Sequence, residues 1–267
     1  QLRFIHNADV GFDTQNIIEM YINPREQNGR NMLEEIKQLP MIKAITTASD
    51  YIVCKNITSF EEHIEWNGQT EEDKKSNFAR LSLQHNGDKI FKFRLIEGRM
   101  FREEDWVTNS NTPKNIFDSP ILNKVILTQS AVTAMRMEHP IGEIIRIPIG
   151  IFRNGDLEWH YSDYEIIGVV KDLYSQGMKT EVYPTIISQA HNWAQSVNYF
   201  QVVPGTERNA IKAINELVQK HQWEYNEYNT EPQTVENKIQ ELNKSEIAIF
   251  KLFSILSFLC ILISLFG

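Results

Sequence analysis

The chain has 267 residues, a formal charge of −8 and 42% hydrophobic residues, which allows one or two domains with a sizeable core. The acidic balance argues against nucleic acid, which asks for a basic face, and against a polybasic grip on anionic lipid headgroups. The two cysteines fall in different settings, Cys54 in the polar body and Cys260 in an apolar C-terminal tract, so no disulfide framework exists.

The chain opens with a small apolar cluster, Leu2, Phe4 and Ile5, before a turn at residues 7–13 (NADVGFD). Residues 16–22 (NIIEMYI) predict a strand. Residues 28–39 carry Met32, Leu33, Ile36 and Leu39 at helical spacing, and Pro40 stops them. Residues 42–49 (IKAITTAS), rich in β-branched side chains, predict a second strand. The middle of the chain, residues 50–191, reads as mostly β. Asn67-Gly68, Asn86-Gly87 and Asn154-Gly155 are hairpin-type turn signals. Strands are expected at residues 78–84, 123–127, 143–152, 157–170 and 185–188. Residues 129–137 predict a helix capped by Thr128, residues 88–96 are ambiguous between strand and short helix, and the polar residues 109–120 predict a mobile loop.

The strand-helix-strand order returns near the other end. Residues 198–203 (NYFQVV) predict a strand, Thr206 a helix cap, and Ile211, Ile214, Leu217 and Val218 a helix face; residues 223–228 are aromatic enough for a short strand. The two units, one from each end, are expected to pack together as one α+β layer structure with the middle as a β-rich insertion. Two unrelated units remain the alternative.

Residues 230–233 (TEPQ) match a capping box with Pro232 in the first turn, and Val235, Ile239 and Leu242 follow as one apolar stripe. No glycine or proline separates that stripe from the tract EIAIFKLFSILSFLCILISLFG, residues 246–267, in which no charge follows Lys251. A hydrocarbon core of ~30 Å needs ~20 apolar residues in a helix, so the tract predicts a membrane helix; a buried core helix would rarely be apolar on every face. Residues 233–267 are then expected to form a single helix of ~50 Å, and a stiff helix shared by body and membrane would transmit displacement. Because the chain starts at Gln1 and stops in this tract, it is expected to be a piece of a longer protein.

The order of NADVGFD (7–13), LIEGRMF (95–101), KVILTQSAVTAM (124–135), HPIGEII (139–145), YEIIGVVKDL (164–173) and YPTII (183–187), followed by a membrane helix, resembles the MacB/FtsX-like permeases of ABC transporters, in their large-ectodomain Bacteroidetes variant. Residues 111–120 and 151–162 look longer than the usual pattern. The resemblance implies a periplasmic domain on the inner membrane. It would have a porter-like subdomain from residues 1–49 and 192–231, an inserted β-rich subdomain at 50–191, and a stalk helix running into a transmembrane helix at 232–267. It further implies mechanotransmission, in which a separate cytoplasmic ATPase moves the ectodomain for export or extrusion of a substrate. The partners implied are that ATPase and a second permease half or a homodimer. Docking of a periplasmic adaptor or outer-membrane channel stays open.

Catalytic patterns are missing from the sequence. There is no G-x-x-x-x-G-K-[ST] phosphate loop, no H-E-x-x-H, no G-x-S-x-G elbow, and the seven histidines are scattered singly, so neither a cofactor nor a metal is expected. The acidic run Glu103, Glu104 and Asp105 fits a solvated first helical turn better than an acid/base pair, and Lys171-Asp172 reads as structural. Trp159, Tyr161, Tyr164 and Trp193 could line a groove, with core packing as their default. Ser257, Cys260, Ser264 and Gly267 share one helix face and are candidates for close helix packing, against the alternative that Ser and Cys are simply tolerated in lipid. Lys251 is the expected interface anchor, its amine snorkelling to water. A single-anchor sensor or adhesive domain is the competing function, and a membrane-tethered hydrolase a third.

Overall fold

A computed structural model describes residues 10–266 apart from 24, 55–59, 62, 74–75, 107–121, 154–155, 176–181, 190–196 and 225–230; side chains at 60–61, 149–153, 156–159, 245–247, 250–251, 262 and 265–266 are also outside the description. The described strands are β1 (Ile17–Tyr21), β2 (Ile42–Ala48), β3 (Phe60–Glu61), β4 (Glu65–Trp66), β5 (Phe78–Leu83), β6 (Leu95–Gly98), β7 (Asn123–Thr128), β8 (Ile144–Arg153), β9 (Asp156–Val170), β10 (Thr185–Gln189), β11 (Val197–Val202) and β12 (Gln233–Thr234). The helices are α1 (Gln27–Lys37), α2 (Gly87–Phe91), α3 (Gln129–Met135), α4 (Glu207–Lys220), α5 (Val235–Leu242) and α6 (Lys244–Phe266). The strands form one mixed sheet in the order β12-β1-β11-β2-β5-β10-β7-β9-β8-β4, with β3 paired to β5 and β6 to β9. The class is thus α+β with a large sheet.

Strand β1 shows how the layers arise. Its side chains alternate, so Ile18 and Met20 face one way while Ile17, Glu19 and Tyr21 face the other. Ile18 and Met20 meet α1 through Met32 and Ile36, and α4 through Ala210, Ile214 and Val218, whose four-residue spacing gives each helix one apolar stripe. Each fully buried Ile or Met there contributes about 1.5–3 kcal/mol. Strand β11 lies antiparallel between β1 and β2, and β1 lies antiparallel between β11 and β12. The strands contributed by the two ends therefore interleave instead of forming separate sheets.

The strands of the middle segment bury Val125, Leu127, Ile166 and Ile186 beneath Ala131 and Met135 of α3. The opposite face carries one wide core running from β1 to β9, from Ile17 and Tyr199 through Ala48 and Leu83 to Ile187, Ile126 and Ile167. Between β2 and β5 the sheet narrows to the pairing of Ala48 with Leu83.

Two glycines lock the ends of β6 and β9 together. Gly98 has φ +74°, which favours glycine, and its Cα rests on the Ile167 carbonyl, while Gly168 leaves room only for the Arg99 carbonyl. Arg99 N–H donates to Ile167 O at 2.8 Å across this crossing. The motifs LIEGRMF and YEIIGVVKDL thus meet in space.

Several local expectations are corrected. Asn86 adopts the left-handed conformation and Gly87 opens α2, so Asn86-Gly87 starts a helix rather than a hairpin. Thr206 and Thr128 stand at the N-cap positions of α4 and α3 but make no side-chain cap bond. The Thr206 hydroxyl donates to Val203 O, and Asp172 Oδ1 accepts from Ser130 N–H at 2.7 Å to serve α3 instead. The capping box at 230–233 does not start α5; residues 233–234 pair with β1, and Thr234 caps the helix by accepting from Asn237 N–H. Trp223 and Glu224 are not in a strand, and residues 225–228 lie outside the described residues, as does the loop at 109–120. The single helix over 233–267 is broken at Asn243 (φ −96°, ψ 13°), which separates α5 from α6. Its side-chain amide donates to Ile239 O at 2.8 Å, the local bond by which asparagine competes with helix continuation.

Candidate functional site

The outgoing segment meets the body at the β1 edge. Strand β12 pairs with β1, and α5 then lies over the face of β1 that carries Ile17, Glu19 and Tyr21. Val235 is fully buried in the wide core, with Ile239 and Leu242 packed against it. Asn243, at the break, is 5% exposed. The last turn of α5 is therefore seated in the body while α6 leaves it.

Beneath α5 sits a carboxylate. Glu19 is 1% exposed, and neither carboxylate oxygen accepts a hydrogen bond among the described residues. Lys238, one turn into α5, brings its Nζ to 3.9 Å from Oε1, beyond hydrogen-bond reach. The same ammonium lies 5.3 Å from the centre of the Tyr51 ring, a cation–π distance. Tyr199 is the cross-strand neighbour of Glu19, and its hydroxyl accepts from Ile52 N–H at 2.7 Å. That hydroxyl sits near enough to favour the charged carboxylate without reaching hydrogen-bond geometry.

Burial dominates the electrostatics. Desolvation pushes the Glu19 carboxyl from 4.5 up to about 8, against the attraction of Lys238 and with the repulsion of Glu241 adding to it. Burial, with Asp50 and Glu19 nearby, pushes the Cys54 thiol up to about 12, which keeps it in the protonated, less reactive form at neutral pH. Removing a carboxylate from water costs several kcal/mol, and one lysine without a hydrogen bond does not offset it. The arrangement can store or release a proton beneath a docked helix.

Glu19 was not singled out by sequence. The available signal was a lone acid at an inward position of the otherwise apolar strand IIEMY. Of the expected site residues, Ser257, Cys260 and Ser264 lie on α6 with exposed side chains, while Gly267 and the Lys251 side chain lie outside the described residues. Among the described residues no helix is long and apolar enough to cross a membrane, so the expected bilayer-spanning helix is not seen there. Among the described residues no His, Cys, Asp or Glu cluster could hold a metal ion.

The acidic run forms a short 3₁₀ turn, Glu103–Asp105. Asp105 accepts both an ion pair from Arg99 and a bond from Arg102 N–H, while Glu103 Oε1 contacts His85 Nε2 at 2.6 Å. These are structural ties. Tyr164 is buried in the core, Tyr161 is exposed with Arg146 over its ring, and Trp193 and the Trp159 side chain lie outside the described residues.

No protein-family model matches the chain, and no curated protein matches it in sequence. Among solved structures it is similar to the extracellular domain of the noncanonic ABC-type transporter YknZ from Gram-positive bacteria, at 13% identity and a TM-score of 0.48, over 82% of this chain and 99% of that one. It is also similar to a domain assigned to a permease protein of Porphyromonas gingivalis, at 13% identity and a TM-score of 0.43, over 79% and 87% of the two chains. At this identity and these scores the two likenesses leave the functional argument to the residues.

Proposed function

We propose that this chain is the extracytoplasmic domain of an ABC-transporter permease on the inner membrane, and that it passes displacement between a cytoplasmic ATPase and the periplasm instead of catalysing a reaction. The observation that carries this reading is the course of the outgoing segment. Helix α5 is held on the sheet edge by Val235, Ile239 and Leu242, and α6 then exposes Phe253 (64%), Ile255 (58%), Phe258 (61%), Ile261 (58%) and Ile263 (70%) around its circumference. Apolar side chains bare on every face suit lipid and no aqueous role. The order of motifs noted in the sequence supports the same family reading.

In this reading α6 enters the bilayer, Lys251 anchors it at the interface, and the strands from the two chain ends form the porter-like subdomain. The narrowing of the sheet at Ala48 and Leu83 supports a border there for the inserted β-rich subdomain in this reading. Displacement reaches the body through the β12–α5 seat. The partners are the ATPase and a second permease half or second copy.

Co-purification of the full-length permease tests the proposal. An ATPase should accompany it, and labels placed on the body and at the membrane should change separation when ATP is added. A full-length protein with one membrane helix and a cytoplasmic signalling domain would replace this reading with that of a sensor.

A further inference from the structure

We propose that Glu19 is a charge-controlled latch for helix α5, tight when Glu19 carries a proton and loosened when it is ionised, with Lys238 on the helix limiting the loosening. The inference rests on the coupling role above for its consequence, but its geometry is independent of that role.

The geometry has three parts. The Glu19 carboxylate is buried and lacks any hydrogen bond among the described residues, and α5 packs on that face of β1 with Lys238 beside the carboxylate, so α5 forms the outer part of its lid. Among the described residues the one ammonium facing it, Lys238, belongs to the lid itself and stands at 3.9 Å. Asn243 interrupts the helix just beyond the lid, so α5 can lift from the body without carrying α6 as a rigid extension. Hold and hinge are thus adjacent.

The charged and titratable groups facing Glu19 come from each neighbouring element. Strand β11 supplies Tyr199, α5 supplies Lys238 and Glu241, and the segment after β2 supplies Asp50, Tyr51 and Cys54. Strand β12 places uncharged Gln233 opposite Glu19. Lys238 favours the ionised form, whereas burial and Glu241 oppose it more strongly, and the carboxyl stands at about 8 with α5 seated. With α5 lifted, water reaches Glu19 and its carboxyl returns to the ordinary range. Linkage then sets the sign: the seated state binds a proton that the lifted state gives up, so raising pH favours lifting, until Glu19 is ionised in both.

The test is hydrogen exchange on the full chain in nanodiscs, read as opening equilibria for the amides of α5, with α4 as control. Between pH 5.5 and 8 opening of α5 should rise by up to about tenfold per pH unit and then level off. In Glu19→Gln the rise should vanish. In Lys238→Met, which keeps the acid but removes its counter-charge, the rise should continue above pH 8. An α5 whose opening ignores pH, a slope unchanged in Glu19→Gln, or an equal slope in α4 would overturn the latch. Each such failure leaves the transporter reading standing, because no ATPase takes part in the measurement.

Discussion

Glu19 is a residue whose burial opposes folding at neutral pH. Its carboxyl stands near 8 in the folded chain against 4.5 when exposed. Because the folded pKa is raised, the folded state holds a proton that the unfolded state has lost between those values. Stability is therefore greatest at and below pH 4.5 as far as this group is concerned, declines by roughly 1.4 kcal/mol per unit as pH rises toward 8, and is flat beyond. Glu19→Gln keeps the shape and removes the charge. It is expected to raise stability at pH 8 by a few kcal/mol over the wild type and to leave the two alike near pH 4.5. Urea denaturation across that range measures the difference, in which all other titrating groups cancel. A second residue-scale expectation concerns the crossing of β6 and β9. A methyl on Gly168 would strike the Arg99 carbonyl, and one on Gly98 would strike the Ile167 carbonyl while also enforcing an unfavourable φ. Gly98→Ala and Gly168→Ala should each cost about 1–3 kcal/mol and lower the melting temperature by several degrees, whereas Ala at the open Gly142 cradle should add only the strain of its positive φ.

At the scale of elements, what could be read from sequence depended on the range of the forces that decide each one. Helices α1 and α4 were legible because their apolar side chains recur every three or four residues, and the long hairpin of β8 and β9 because apolar runs flank an Asn-Gly pair. Helix α2 was ambiguous because five residues hold too few turns to show a period. The caps failed for a different reason: Thr128 and Thr206 have the right chemistry, but the bond to the α3 terminus comes from Asp172, remote in sequence. Asp172→Ala should accordingly destabilise α3 by about 0.5–2 kcal/mol, seen as faster exchange of its first amides, whereas Thr128→Val should leave those amides unchanged. The break at Asn243 was hidden because neither glycine nor proline marks it. Asn243→Ala removes the amide bond to Ile239 O and supplies a better helix former. Spin labels at positions 236 and 252 should then move to the ~24 Å separation of an uninterrupted helix. An unchanged distance distribution would mean that packing against the body, not the asparagine, makes the joint.

Over the whole molecule, the sheet order could not be read from sequence, because it depends on pairings such as Ala48 with Leu83 and Glu19 with Tyr199 between distant segments. The buried acid stood out only as an exception within an apolar strand, and its lid became visible once α5 was placed over it. What lies beyond that lid is a helix with bare apolar sides, and on the coupling role proposed above its packing partners determine how displacement would leave the body. Ser257, Cys260 and Ser264 are spaced to share one face of α6, and all three are exposed. In lipid there is no hydrophobic drive between helices, so close backbone approach across small side chains and hydroxyl bonds supplies the association. Replacing the three by Leu keeps α6 apolar and helical but holds a neighbouring helix away. On the permease reading proposed above, such a variant of the full-length protein should insert normally and show several-fold weaker crosslinking between its subunits. Phe substitution at Ile255, on the opposite face of α6, should leave crosslinking intact. Equal crosslinking in the triple variant would show that the hydroxyls and thiol are merely tolerated in lipid, and would move the contact to another face of α6.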